Sequence, residues 1–247
     1  MPPLNLGFVA HLKRQAIFSQ DLSKRERTRA TLIYSAAVTM EERGISPDLV
    51  ARVCSLASVS RGTFYLYFPD AISIAMFVLK DFLRVASRWA ASNSQGTDLY
   101  ITMVGRLTFY QRLHAENAGL FRCLYVIKFD DPIDKRPYLL WQKIRHRWRV
   151  VLSDQIAEAC GLTDAPKRVR LHLAYTILGM ADDVFFQMHV TDNRFLTRTI
   201  ESPADMVELL ALMSYRAVMG KNPEGQQRQT ATREAMMFLG VGGARQS

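Results

Sequence analysis

Apolar residues recur at three- and four-residue spacing through nearly every long segment of this chain, and no segment alternates apolar with polar over strand length. A helix is then the regular element able to bury one face, so the chain is expected to be all-α. Local punctuation agrees. Ser23–Glu26, "SKRE", is a capping box that satisfies two orphan amides at a helix start. Leu32, Ile33, Ala36, Ala37 and Met40 follow on one face, and Gly44 is placed to stop the helix. Ser46 with Pro47 predicts a second, short start, with Val50, Val53, Cys54 and Ala57 inward. Ser58 and Val59 make a tight break, and Ser60 opens a third helix predicted to reach Phe68, just before Pro69. Longer helical segments fill the chain up to Gly220.

Four regions follow: a flexible basic arm over 1–22, a three-helix unit over 23–70, a larger helical domain over 71–220, and a disordered Gln-, Gly- and Arg-rich tail over 221–247. The formal net charge is +9, compatible with a polyanionic partner. Six basic residues fall between Lys13 and Arg29 against Asp21 and Glu26, so positive charge gathers in the arm and at the start of the first helix. No apolar run approaches the ~18 residues a membrane span needs. Cys54, Cys123 and Cys160 are scattered without metal-type spacing, which fits a reducing cytoplasm.

The stretch "ASVSRGTFYLYFPD", 57–70, holds a glycine at a helix start and four aromatic rings within five positions. At ~100° per residue, Phe64 and Phe68 share a face that points inward, and Val59 is placed to staple onto Phe64. Gly62, Thr63, Tyr65 and Leu66 then fall on or beside the opposite face. Two short helices joined by a tight turn suggest a helix-turn-helix, whose second helix enters the DNA major groove by its N-terminal residues. Gly62 lets a backbone approach closely. Arg61 suits guanine O6 and N7. Ser60 and Thr63 suit base edges or phosphates, and Tyr65 and Tyr67 offer a ring and a hydroxyl to a sugar or phosphate.

"TRATLIYSAAVTMEERG" followed by "LVARVCSLASVSRGTFYLYFPD" resembles the DNA-binding domain of the TetR/AcrR transcriptional regulators over about 28–69, with "VSRGTFYLYF" its most specific part. The resemblance implies that Ser60, Arg61, Gly62 and Thr63 begin a recognition helix. It further implies that Tyr65, Leu66 and Tyr67 meet bases or backbone, and that Thr28 contacts a phosphate. Ser58 stands where the family usually has a turn glycine, Leu49 where it often has a capping Thr, and Ala71 where it usually has a phosphate-binding Lys. The basic arm is expected to compensate for the two lost backbone contacts.

Small residues at Ala174, Gly179, Ala181 and Ala217 permit close helix approach. By resemblance, the helices over 163–190 and 202–219 pair with a second copy, and the homodimer meets a palindromic double-stranded operator. Similar proteins hold a small apolar effector among the middle helices. Candidate lining residues here are Phe109, Phe121, Tyr125, Trp141, Trp148, Met180 and Phe185, each equally readable as core. Asp182 and Asp183 interrupt an apolar helix, to face a ligand, to pair with an Arg or to be solvated. The run "KIRHRWR", 143–149, reads as a solvated surface. The five histidines form no metal motif, and no G-x-S-x-G, Walker A or G-x-G-x-x-G signature occurs, so neither a metal nor a cofactor is expected. The expected function is a dimeric repressor released by an effector. The alternatives are an activator or ligand-independent regulator of the same fold and, further off, an all-helical enzyme or a protein-binding adaptor.

Overall fold

A computed structural model describes residues 5–18, 22–92, 98–129, 134–161 and 164–223. Among them every regular element is a helix, as the periodicity predicts. In order these are α1 (Phe8–Phe18), α2 (Lys24–Arg43), α3 (Leu49–Ala57), α4 (Arg61–Tyr65), α5 (Ala71–Ser92) and α6 (Leu99–Ala115). They continue with α7 (Ala118–Phe129), α8 (Arg136–Ala159), α9 (Lys167–His189), α10 (Arg194–Thr197) and α11 (Pro203–Met219). The chain divides into two compact units, Met1–Trp89 with Leu113–Ile144, and Ala90–Arg112 with Arg145–Ser247. Residues 23–70 stay whole within the first unit, but that unit takes in much more of the chain than the expected division at residue 70 allows.

In the first unit α2 begins on the predicted capping box, Ser23 accepting from the Glu26 amide and Glu26 accepting from the Ser23 amide at 2.9 Å. Its face of Leu32, Ile33, Ala36, Ala37 and Met40 is buried, as read. The expected flexible arm is corrected. Residues 8–18 are helix, and Leu6, Phe8 and Leu12 are buried. The Phe8 ring meets Phe82 of α5 edge-on at 5.7 Å. The Leu6 and Phe8 amides donate to Glu116 and Asn117, both at 2.7 Å, and the Asn117 amide returns bonds to the carbonyls of Leu6 and Leu113. Counting charges in this segment hid its apolar face, and each such buried side chain contributes roughly 1.5–3 kcal/mol. Lys13 and Arg14 remain exposed on the outer side.

A second fastening joins α2 to α7. The buried end of Glu41 accepts the Gly119 amide at 2.8 Å and the Leu120 amide at 3.2 Å, two orphan donors of the α7 N-terminus. The helices cross so closely that a Cβ on Gly119 would land on the Glu41 carbonyl. This glycine is required by approach, since its φ is not positive. Phe82, Phe121 and Trp141 continue the core by edge-to-face contacts of 5.4 and 5.3 Å, and His114 stacks on Phe121 at 4.1 Å.

In the second unit Ser202 caps α11 by accepting the Asp205 amide, and Gly220 ends it at φ 65°. Tyr100 packs edge-on against Tyr215, and Tyr110 against Phe185. Ala174 and Ala181 are fully buried on α9. Residues 224–247 of the expected tail lie outside the described residues.

Candidate nucleic-acid interface

The turn between α3 and α4 is made by a residue that is seldom asked to make it. Ser58 takes the left-handed conformation, φ 53° and ψ 43°, where the resembled family usually has glycine. The bend closes through bonds from the Ser58 amide to the Ser55 carbonyl and from the Val59 amide to the Cys54 carbonyl. Chain direction then resets at Ser60, whose Oγ accepts the Thr63 amide at 3.1 Å and lies 3.0 Å from Thr63 Oγ1. The next helix is shorter than predicted. It ends at Tyr65, with Leu66 and Tyr67 in a turn. The Phe68 amide still bonds the Phe64 carbonyl at 3.1 Å, so Phe68 turns inward as the helical spacing requires.

Phe64 is fully buried and Phe68 nearly so, their ring centres 6.1 Å apart, with Phe77 of α5 behind Phe68. The Arg29 guanidinium lies over Phe77 at 4.4 Å and reaches Phe68 at 5.6 Å. This packing leaves the other side of α4 bare. Arg61 and Gly62 are exposed, Tyr65 is 53% exposed and Leu66 78%. Thr63 and Tyr67 are half-buried at its edges. A Cβ on Gly62 would meet only Ser60 Oγ, at 3.7 Å, so the protein's own packing leaves that space open. Such an arrangement offers a backbone that can come close, a planar cationic fork, two hydroxyls at a helix start, a phenol and one apolar leucine side chain.

The structure thus brings Ser60, Arg61, Gly62, Thr63, Tyr65, Leu66 and Tyr67 together on α4, its N-cap and the turn that follows it. Thr28 stands on α2, half-buried, its hydroxyl donating to the Lys24 carbonyl at 2.9 Å, and none of its described contacts joins it to α4. Leu49, in place of the capping Thr, is wholly buried. Sequence reasoning missed Leu56, 51% exposed on α3 just before the turn. At ~100° per residue Leu56 lies nearly across the helix from buried Cys54 but only ~60° from buried Val53, so helical spacing alone did not mark it.

The candidate pocket residues separate. Phe121 and Trp141 are core of the first unit, and Tyr125 is half-buried there. In the second unit a cavity of about 60 Å³ is lined by Phe109, Tyr110, Trp148 and Leu178, with Arg106, Arg149 and Asp182 among the polar groups. Met180 and Phe185 are not among its described lining residues. The basic run over 143–149 is also corrected: Arg149 is buried, and Arg145 is mostly so. Both pair with Asp182, Arg149 at 2.5 Å, and the Tyr110 hydroxyl donates to the same carboxylate. Positions 145, 149, 152 and 156 share one helical face with buried Leu152 and Ile156, which is why these arginines turn inward. Asp183, one residue on from Asp182, is exposed and accepts from Gln187.

The fold and this unit define an all-helical chain with an N-terminal helix-turn-helix. No protein-family model and no curated protein sequence matches the chain. Among solved structures it resembles one described as the fatty acid degradation regulator FadR from Bacillus halodurans, with a TM-score of 0.53 at 14% identity, over 79% of this chain and 96% of that one. That likeness shows a shared fold.

Proposed function

We propose that the protein is a sequence-specific DNA-binding transcriptional regulator, acting as a dimeric repressor released from a palindromic operator by a small effector. The observation that carries this reading is the face of α4, clear of the protein's own side chains while Phe64 and Phe68 hold it from behind. Arg61 reads a guanine, Gly62 admits the backbone to the groove, and Ser60, Thr63, Tyr65, Leu66 and Tyr67 flank them. Thr28 and the exposed Lys13, Arg14, Lys24, Arg25 and Arg27 supply phosphate contacts. The resemblance to TetR/AcrR regulators and the shared fold with a fatty acid degradation regulator support the same reading.

Dimerisation through α9 and α11 is supported by an outward apolar stripe. Val169, Leu173 and Met213 are 46%, 36% and 45% exposed, alongside exposed Ala217. A two-fold pair through these helices sets two α4 helices on half-sites ~34–36 Å apart, or a multiple. The second unit's cavity is the effector site in this reading.

The test is a gel shift on the DNA upstream of the protein's own gene at two salt concentrations, followed by selection of bound DNA from a random pool. A steep loss of affinity with salt and a two-fold symmetric consensus are expected. Arg61→Ala should cost about 1–3 kcal/mol and relax preference at one position per half-site. Salt-independent retention, or a pool without consensus, would overturn the reading.

A further inference from the structure

We propose that the cavity of the second unit takes the head of a small organic carboxylate, and that Arg106 is the residue that reads its charge. This deepens the effector reading above and rests on it. The effector becomes an amphipathic anion with an apolar body instead of a neutral apolar molecule.

Arg106 sits inside the α6 sequence "TMVGRLTFY". Buried Met103, Phe109 and Tyr110, three or four residues away, turn that face of the helix inward, and Arg106 is carried with it to line the cavity. Its Nε and Nη2 are shielded from solvent and find no hydrogen-bond acceptor among the described residues. A guanidinium has five donors in a fixed fork and stays charged, so it cannot relieve such a position by losing its proton. Burial pushes its pKa down, and no neighbouring carboxylate acts to hold it up.

The one carboxylate among the described lining residues is already engaged. Asp182 Oδ2 accepts from Arg145 and Arg149, and Oδ1 accepts from the Tyr110 hydroxyl. Among the described lining residues, Asp182 is thus held by other groups, and Arg106 Nε and Nη2 are left without an acceptor. Buried charges are tolerated when paired, and here the missing partner has to come from outside.

Size and lining choose among anions. A cavity of about 60 Å³, against the roughly 10–15 Å³ that holds one water, has room for a small polar head group. A carboxylate's three heavy atoms suit that space, and its planar pair of oxygens matches the guanidinium fork once the Arg106 side chain turns its shielded Nε and Nη2 toward the cavity it lines. A phosphate group brings two more heavy atoms and a second charge to desolvate. Phe109, Tyr110, Trp148 and Leu178 line the same cavity, so the remainder of the molecule is apolar or aromatic.

The experiment uses the full chain in calorimetric titrations and thermal melts. Benzoate, phenylacetate and hexanoate are each compared with the alcohol of the same skeleton. Each carboxylate that binds is expected to do so at least ~10-fold more tightly than its alcohol. Arg106→Met should erase that preference, and without any added compound it should melt above the unsubstituted protein, because an unpaired buried cation has gone. The assignment is overturned if all three acids fail to bind below about 1 mM, if the alcohols bind as well, or if the variant keeps the preference. A variant that melts lower in the absence of acid also counts against it. Should Arg106→Met not fold, the comparison of acid with alcohol in the unsubstituted protein decides alone. A gel shift on the same preparation separates the two readings. Retained DNA with no response to any acid sinks this assignment only, whereas acid binding by a chain that retains no DNA upholds the site and sinks the regulator.

Discussion

Gly62→Ala separates what the fold needs from what docking needs. Gly62 is the second residue of α4, its φ is not positive, and an added methyl would make only an ordinary contact with Ser60 Oγ at 3.7 Å. Glycine costs a helix about 0.5–1 kcal/mol relative to alanine, and here nothing in the packing offsets the replacement. The variant should therefore be more stable by about that amount. In a chain of this size ~1 kcal/mol corresponds to roughly 2–4 °C in Tm. The effect on DNA should run the other way. A Cα–Cβ bond of ~1.5 Å, pointing out of the face presented to the groove, holds the helix back by a comparable distance. Hydrogen bonds of ~2.9 Å do not survive that displacement. Losing one base contact costs about 1–3 kcal/mol, or roughly a 5- to 150-fold weakening. Thermal melts and fluorescence anisotropy on the selected operator read the two effects independently. Gly62→Leu should extend the loss to complete failure of specific binding while the fold persists. A destabilised Gly62→Ala would mean that the glycine serves the protein's own packing. Unchanged affinity in both variants would mean that another surface meets DNA.

Gly119→Ala makes the opposite contrast. Its Cβ has no room beside the Glu41 carbonyl, so the α2–α7 crossing must open and the variant should lose ~3 kcal/mol or more in a urea melt. Ser58→Gly relieves a left-handed non-glycine residue and should stabilise by about 0.5–1 kcal/mol after the extra freedom of the unfolded chain is subtracted. A loss of stability would show that the Ser58 side chain has a role of its own. Glu41 predicts a pH dependence. Burial holds its carboxyl above the ordinary 4.5, only partly opposed by the Gly119 and Leu120 amides and by Arg122. The folded protein thus keeps this proton longer than the unfolded chain, so the contribution is full below pH 4.5 and is lost as pH rises through the folded pKa. Relative to Glu41→Gln, the unsubstituted protein should lose stability with rising pH across that interval, and a relative gain would contradict the assignment.

Local grammar carried most of the architecture. The caps at Ser23, Ser60 and Ser202 and the stops at Gly44 and Gly220 stand where side-chain oxygen or backbone freedom puts them. The inward pair Phe64 and Phe68 was readable from helical spacing, even though α4 itself closes early. Other elements turned on competition between neighbours. Ser46 bonds the Asp48 carboxylate at 2.6 Å and does not cap, so α3 begins at Leu49. The segment before Ser23 was read by its charges, while Leu6, Phe8 and Leu12 decided its structure. The pocket was the least legible part. Phe121 and Trp141 look like Phe109 and Trp148 in sequence, and only contacts between residues distant along the chain assign them to different cores. The inward turn of Arg106, Arg145 and Arg149 was visible in principle, because each stands one or two turns from buried apolar residues on its own helix.

The Glu41–Gly119 crossing limits how the first unit can respond to any force. Two rods in backbone contact, with a carboxylate gripping the end of one of them, cannot slide lengthwise past each other without breaking both bonds at once. Swivelling about the contact point breaks neither. A displacement of α7 should therefore reach α2 as a change of tilt, with Gly119 as the fulcrum.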